Sequence, residues 1–95
     1  MKVRITATAS TEIEGILAWI AKDNPTAATA VGRTIKAAIA RLRYFPRIGA
    51  ETDEPGVYMK IVRQYRYLIF YAIDNKEVIV RNVRHPARRR PSKNA

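Results

Sequence analysis

Residues 57–83, VYMKIVRQYRYLIFYAIDNKEVIVRNV, contain the pattern that decides the fold. The stretch is rich in β-branched and aromatic residues, which are typical of strands, and alternate residues share a face: Tyr65, Tyr67, Ile69, Tyr71 and Ile73 on one side, Leu68 and Phe70 on the other. The pattern predicts strands at Val57 to Val62, Tyr65 to Ile73 and Val78 to Val83. Asp74-Asn75-Lys76 predicts a hairpin turn between the last two. We therefore expect a three-stranded antiparallel meander.

Two amphipathic helices are predicted before the meander. Ser10 and Thr11 are candidate caps of the first helix, and Thr11 with Glu14 has the spacing of a capping box. Asn24-Pro25 predicts the start of the second helix, since Asn is a favoured N-cap and Pro fits the first helical turn. The two apolar stripes contain Ile13, Ile16, Leu17 and Ile20 in the first helix, and Ala28, Val31, Ile35, Ala38, Leu42 and Phe45 in the second, before Pro46. The short connection predicts an antiparallel helical hairpin.

The remaining segments complete an α+β fold. Residues 3–7 alternate like a strand, and residues 47–56 read as a loop because they contain Gly, Pro and three acids. We expect an N-terminal strand, the antiparallel helical hairpin and the three-stranded antiparallel meander, with the helices on one face of the sheet. Counting chain reversals makes the first strand antiparallel to Val57–Val62. Residues 1–88 are expected to form a single domain, followed by a basic irregular tail at 89–95.

Composition points to a polyanionic partner. Eighteen Lys and Arg against eight Asp and Glu give a formal net charge of +10. Such a chain attracts nucleic acid, the ribosome or an acidic protein, although a solubilising charged surface is the alternative. With no cysteine and one histidine, disulfides, thiolate metal sites and multi-histidine metal sites are excluded, and no metal or cofactor is expected. We find no apolar run typical of a signal peptide or a membrane span, so we expect a cytoplasmic protein without a membrane partner.

The C-terminal part is the strongest candidate for target binding. It carries Arg81, Arg84, His85, Arg88, Arg89, Arg90 and Lys93, and no acid follows Glu77. Arginine suits phosphate groups because its planar guanidinium makes bidentate hydrogen bonds. A solvated, frayed tail is the alternative interpretation.

His85 is the only candidate for a general acid or base of the imidazole type. Catalysis would need a base, a nucleophile or a charge stabiliser that converges on the same point. Arg63 and Arg81 are candidates to stabilise transition-state charge, and the loop acids Glu51, Asp53 and Glu54 are candidates to approach, although the sequence does not show convergence. A structural histidine is the alternative. A glycine-rich phosphate loop and a Ser-His-Asp set are both absent from the sequence, which excludes ordinary NTPase and hydrolase chemistry.

The aromatic residues have two interpretations. Tyr58, Tyr65, Tyr67, Phe70 and Tyr71 alternate on strands, which favours packing in and around a sheet core over stacking on bases. Trp19 lies off the apolar stripe of its helix. It belongs either to the seam between the helices or to an exposed partner surface, and the sequence does not choose between them.

Four motifs in order give the chain a family resemblance. They are residues 16–28 (ILAWIAKDNPTAA), residues 42–49 (LRYFPRIG), residues 67–71 (YLIFY) and residues 83–88 (VRHPAR). Together with the order of predicted elements, they resemble the ParE/RelE superfamily of bacterial toxins. Ala50 stands where many members have arginine, which is a minor departure.

The resemblance implies the toxin of a type II toxin–antitoxin system, ParE-like, that inhibits growth by poisoning DNA gyrase. It also implies a cognate ParD-like antitoxin with an acidic disordered segment that folds on binding, in a hetero-oligomeric complex. Trp19, Tyr65 and Tyr67 are expected to contact the antitoxin, and Arg81, Arg84, His85, Arg88, Arg89 and Arg90 the target.

The alternative is a RelE-like, ribosome-dependent mRNA endoribonuclease with Arg63, Arg81 and His85 as catalytic residues. Such nucleases usually carry a tyrosine or another acid/base group near the C-terminus. Here no tyrosine follows Tyr71, and Pro86 follows His85. We therefore favour the non-enzymatic gyrase inhibitor, for which no catalytic residue is expected. A relative that has lost toxicity and only binds an antitoxin is a third alternative.

Overall fold

The chain folds as a strand, two helices and four further strands. The structure, a computed structural model, describes residues 1–85. The elements are β1 (Lys2–Ile5), α1 (Ala7–Ala21), α2 (Pro25–Arg41), β2 (Ala50–Glu51), β3 (Val57–Val62), β4 (Tyr67–Asp74) and β5 (Glu77–Arg84). The expected α+β architecture is confirmed. The predicted site residues Arg88, Arg89 and Arg90 and the tail at 89–95 lie outside the described residues.

The strands form one sheet in the order β1-β5-β4-β3-β2. β3, β4 and β5 are the predicted antiparallel meander, and β2 adds to β3 in the antiparallel direction. The turn between β4 and β5 places Asn75 and Lys76 at positive φ, 51° and 63°. This is the backbone that a tight hairpin turn needs, and Asn tolerates it better than most residues.

The predicted direction of the first strand is wrong. β1 pairs in parallel with β5, and Val3 lies opposite Val78. Two antiparallel pairings separate β5 from β3, so β1 and β3 run in the same direction. The reason is β2, which lies inside the predicted loop at 47–56 and reverses the chain once more before β3. A strand of two residues is too short to show alternation in the sequence.

The first helix begins earlier than Ser10 and Thr11 predict. Thr6 is the N-cap: its backbone is extended, and its Oγ1 accepts a hydrogen bond from the Ala9 backbone N–H at 3.1 Å. β1 therefore ends at Ile5 rather than residue 7, and Thr11 lies inside the helix. Ile16 of the predicted stripe is buried, as expected.

The second helix begins as predicted and ends before the predicted stop. Asn24 Oδ1 accepts from the Ala27 backbone N–H at 3.0 Å, and Pro25 occupies the first helical turn. The helix ends at Arg41, and the chain then turns, so Leu42 is fully buried while Phe45 is 55% exposed. The prediction that Phe45 continues the buried stripe is therefore wrong, because helical spacing no longer holds after Arg41.

The core lies between the helices and one face of the sheet. Its buried members include Ile16, Val31, Ile35, Ile39, Leu42, Val62, Tyr67, Ile69, Tyr71, Val78, Val80 and Val83. Each such side chain stabilises the fold by about 1.5–3 kcal/mol through burial. The opposite sheet face carries Met59, Ile61, Leu68, Phe70 and Ile79, which pair or neighbour across β3, β4 and β5 and are not fully buried. Within residues 1–85, no helix has both the length and the apolar character that crossing a membrane requires.

Candidate functional site

β5 carries an irregularity at its centre. Tyr71 lies opposite Val80 and Phe70 lies opposite Asn82, so Arg81 has no partner of its own in β4. An extra residue of this kind bends a strand and changes the direction of its side chain. The Arg81 guanidinium forms an ion pair with Glu54 in the loop after β2, with Nη1 3.1 Å from Oε2. Arg81 is thereby held toward that loop.

β1 covers only part of the edge of β5, and Thr6 and Glu12 bond to the rest of that edge. The Thr6 backbone N–H donates to the Val80 carbonyl at 3.1 Å, and Thr6 Oγ1 donates to the Arg81 carbonyl at 3.3 Å. Further along, Glu12 Oε1 accepts from the Val83 backbone N–H at 2.9 Å, and both Glu12 oxygens accept from Asn82 Nδ2 at 3.3 Å. Thr6 and Glu12 thus satisfy backbone N–H and C=O groups of β5 that β1, which ends at Ile5, does not reach.

Glu12 is a residue that the sequence analysis missed. Its carboxylate also lies 3.9 Å from Arg84 Nη2, so it orients the end of β5 from which the basic tail continues. The signal was present, since Glu12 stands one helical turn before the buried Ile16 and therefore on the buried stripe. An acid on such a stripe requires a polar partner across the interface.

His85 lies against an aromatic cluster at the end of the sheet. Its ring meets the Tyr67 ring edge to face, with centroids 4.8 Å apart, and Tyr65 packs on Tyr67 at 6.5 Å. Tyr67 is buried, at 6% exposure. The structural interpretation of these two tyrosines, packing at the end of the core, is the one that the contacts favour.

The three residues of the nuclease alternative belong to β5 and to the segments that follow β3 and β5. Arg63 follows β3 and His85 follows β5, at the end of the sheet where Leu68 pairs with Arg84. The loop acids precede β3 at the other end, where Val57 pairs with Ala72, and Arg81 is directed to one of them, Glu54.

Tyr71 organises the turn before β2. Its hydroxyl accepts from the Gly49 backbone N–H at 2.9 Å, and its ring stacks on Tyr58 with centroids 5.5 Å apart. A Cβ on residue 49 would lie 2.8 Å from the Met59 carbonyl oxygen, so only glycine allows this close approach. Burial raises the pKa of Tyr71 above 10.0; the Gly49 hydrogen bond opposes this and the neighbouring Tyr58 adds to it.

The residues expected to contact an antitoxin lie on separate elements. Trp19 is on α1 and is 54% exposed, which resolves its two interpretations in favour of an exposed position. Tyr65 lies in the turn before β4 and is partly exposed, whereas Tyr67 is mostly covered by the protein itself.

A basic groove lies between α2 and β3. Its volume is about 670 Å³, and four cations line it: Arg33, Arg41, Lys60 and Arg63. The floor is aliphatic, with Ala38, Leu42 and Val62 among its residues. Arg33, Ala37 and Arg41 recur at four-residue spacing on α2, a signal that the sequence contained. In the described part of the chain, no group of three or more acids and histidines could hold a metal ion.

Comparison with known proteins identifies the class to which this fold and basic surface belong. The structure is similar to the "Chromosomal ParDE TA system from P. aeruginosa", with a TM-score of 0.81 and 16% identity over 90% of this chain and 95% of that chain. It is also similar to the "Crystal structure of the intact E. coli RelBE toxin-antitoxin complex", with a TM-score of 0.65 and 17% identity over 88% of this chain and 94% of that chain. At such identities the likeness establishes the fold. No curated protein matched the sequence.

The sequence itself matches a family at residues 3–90, described as "ParE toxin of type II toxin-antitoxin system, parDE". The chain therefore belongs to the ParE toxin family, and the resemblance seen in the four motifs is confirmed.

Proposed function

We propose that this toxin inhibits growth by poisoning DNA gyrase, without hydrolysing RNA. The observation that carries the proposal is the placement of the acid/base groups. His85 lies at the end of the sheet where Arg84 pairs with Leu68, and it packs on Tyr67. The loop carboxylates lie toward the other end, and Glu54 is paired with Arg81. General acid–base catalysis needs its groups within hydrogen-bond reach of one reacting centre, whereas in residues 1–85 the imidazole and the loop carboxylates lie toward opposite ends of the sheet.

The basic C-terminal region is the part that we assign to the target. Arg84 is exposed, and three residues separate it from the arginines at 88–90 in the sequence. Glu12 fixes the last residues of β5 and so fixes where this region leaves the fold. Arginine side chains suit a phosphate-rich surface such as the DNA in a gyrase complex, because the guanidinium makes bidentate hydrogen bonds to phosphate.

The proposal is tested by DNA supercoiling with purified gyrase, in the presence and absence of the protein. We expect loss of supercoiling and accumulation of cleaved DNA. A charge-depleted variant, with Arg88, Arg89 and Arg90 replaced by alanine, should lose this effect. The matched control removes the same charge elsewhere, from Lys22, Lys36 and Arg43.

His85→Ala separates the gyrase inhibitor from the nuclease. A general acid or base contributes about 10²–10⁴ in rate, so a nuclease would lose its activity in this variant. We expect the variant to keep most of its inhibition of gyrase, because the arginines assigned to the target are unchanged. The proposal would be replaced by the nuclease alternative if two results were found together. Gyrase would supercoil DNA unchanged in the presence of the folded parent protein, and the protein would cleave mRNA on ribosomes in a way that His85→Ala abolishes.

We further propose that an acidic antitoxin neutralises the toxin. The net charge of +10 and three cation-rich regions, on α2, around β3 and at the end of β5, support an acidic binding segment. Complementary charge speeds the encounter of two proteins, and salt screens it. The association rate measured by stopped flow should therefore fall as ionic strength rises, and a rate that does not respond to salt would contradict this.

A further inference from the structure

From the groove between α2 and β3, we infer that the open edge of β3 is a docking site for an extended acidic segment of a partner protein. The segment would add to the sheet beside Lys60–Val62, and its carboxylates would meet Arg33, Arg41, Lys60 and Arg63. Only the identification of the partner as the antitoxin rests on the proposed function. The site itself follows from three observations.

The first observation is the short cover of β3. β2 lies on its outer side and pairs only with Tyr58 and Met59. Among residues 1–85, no strand pairs with the outer side of β3 beyond Met59. The groove lies where β2 would have to continue, and Ile48, just before β2, forms part of its wall.

The second observation is the direction of the backbone groups. The Val57 N–H and C=O both point to the β2 side, because they bond to Glu54 and Thr52. Backbone groups alternate along a strand, so Met59 and Ile61 point to the same side. Ile61 therefore presents its N–H and C=O to the uncovered edge, and its side chain is 45% exposed. An added strand forms hydrogen bonds at such an edge.

The third observation is the charge around that edge. Among residues 1–85, four cations line the groove and no acid does. All eight acids of the chain lie within the described residues, and the recorded ion pairs there use Arg4, Arg81 and Arg84 rather than any groove cation. These four charges therefore have no carboxylate counterpart in the described fold, and carboxylates of a bound segment would supply one.

The residues on the floor of the groove favour a peptide over a nucleic acid as the occupant. It consists of aliphatic side chains, among them Ala38, Leu42 and Val62, and no aromatic residue lines the groove. Bases bind single-stranded sites largely by stacking on aromatic rings, and that platform is missing here. An extended peptide places alternate side chains on opposite sides, so aliphatic residues can face the floor while carboxylates reach the cationic walls.

The test uses a defined probe and the full chain. The probe is an end-capped peptide of alternating glutamate and valine, about eight residues long and about 26 Å when extended. Binding is measured by NMR titration and by hydrogen exchange of the Ile61 amide. We expect shifts at the groove residues, slower exchange at Ile61, and binding weakened by about tenfold in the charge-reversed variant Arg33→Glu/Arg41→Glu.

The matched control is Lys36→Glu/Arg43→Glu, which reverses the same charge at exposed positions on or just after α2 that do not line the groove. It should bind the probe as the parent protein does. Equal weakening in both variants, or an Ile61 amide that exchanges as fast with the peptide as without it, would overturn the inference.

A second probe, a single-stranded oligonucleotide of about 12 nucleotides, tests the other class of occupant. Tighter binding of this probe than of the peptide at the groove would assign the site to nucleic acid instead. Each result is independent of the gyrase assay, so a toxin without effect on gyrase could still bind the peptide here.

Discussion

Removing the Glu12 carboxylate should destabilise the fold far more than an ordinary surface substitution. In Glu12→Ala, the Val83 backbone N–H loses its acceptor at 2.9 Å, and Val83 itself is 1% exposed. The Asn82 amide loses its partner as well. Hydrogen bonds to a charged group contribute about 1.5–3 kcal/mol each when buried, and the Glu12 side chain is 28% exposed. We therefore expect a loss of about 2 kcal/mol in total.

This loss is measured by urea unfolding followed by far-ultraviolet circular dichroism, with an unchanged m-value. It corresponds to a fall in Tm of roughly 8–16 °C for a domain of this size. Glu14→Ala is the matched control, because Glu14 is an exposed acid on the same helix. The control should change the unfolding free energy by less than about 0.5 kcal/mol. If Glu12→Ala loses no more stability than Glu14→Ala, the side chain does not hold the edge of β5.

Two further changes test the turn before β2. Gly49→Ala should destabilise the fold by about 1–3 kcal/mol, since the added Cβ would overlap the Met59 carbonyl. Gly15→Ala, whose Cβ meets nothing within 4 Å, should stabilise α1 by about 0.5–1 kcal/mol. The thermal unfolding temperatures of the two variants should therefore shift in opposite directions. Burial raises the Tyr71 pKa in the folded state. The contribution of the protonated Tyr71 hydroxyl to the free energy of unfolding is therefore complete below pH about 10, and it is lost as the pH rises through the raised pKa. Tyr71→Phe should remove that part of the alkaline loss of stability, and an identical pH profile in urea unfolding would contradict the assignment.

The sequence was sufficient where a pattern was long or a residue had one structural use. β3 was predicted with its observed bounds, because a run of mostly apolar, strand-favouring residues begins directly after Pro55-Gly56. The Asn24-Pro25 start of α2 and the turn at Asn75 were predicted from local backbone chemistry alone. In each case the structure follows from residues that are neighbours in the chain.

The sequence was insufficient where the structure depends on distant partners. Thr6 caps α1 and also bonds to β5, while Ser10 and Thr11 offered equally good local caps. The parallel pairing of β1 with β5 joins residues more than 70 positions apart. Local propensity contains no information about such pairings, so it missed β2 and the direction of β1.

The candidate site divides in the same way. Single residues such as Arg63, Arg81 and His85 were identified by their chemical type. Their arrangement was not, because the ion pair of Arg81 with Glu54 depends on the bulge in β5. The residues that line the groove were not identified for the same reason, since α2 and β3 are separated by residues 42–56 and meet only in the fold.

The two edges of the sheet have a consequence for how copies of this protein meet. At one edge, β1 carries Lys2 and Arg4, and cations on an edge strand oppose edge-to-edge aggregation. At the other edge, four cations surround the uncovered part of β3. Two copies approaching by the uncovered part of β3 bring positive charge against positive charge. Repulsion between these charges opposes fibre growth from copies of the same chain, whereas a strand that carries acidic side chains can still pair with the uncovered edge.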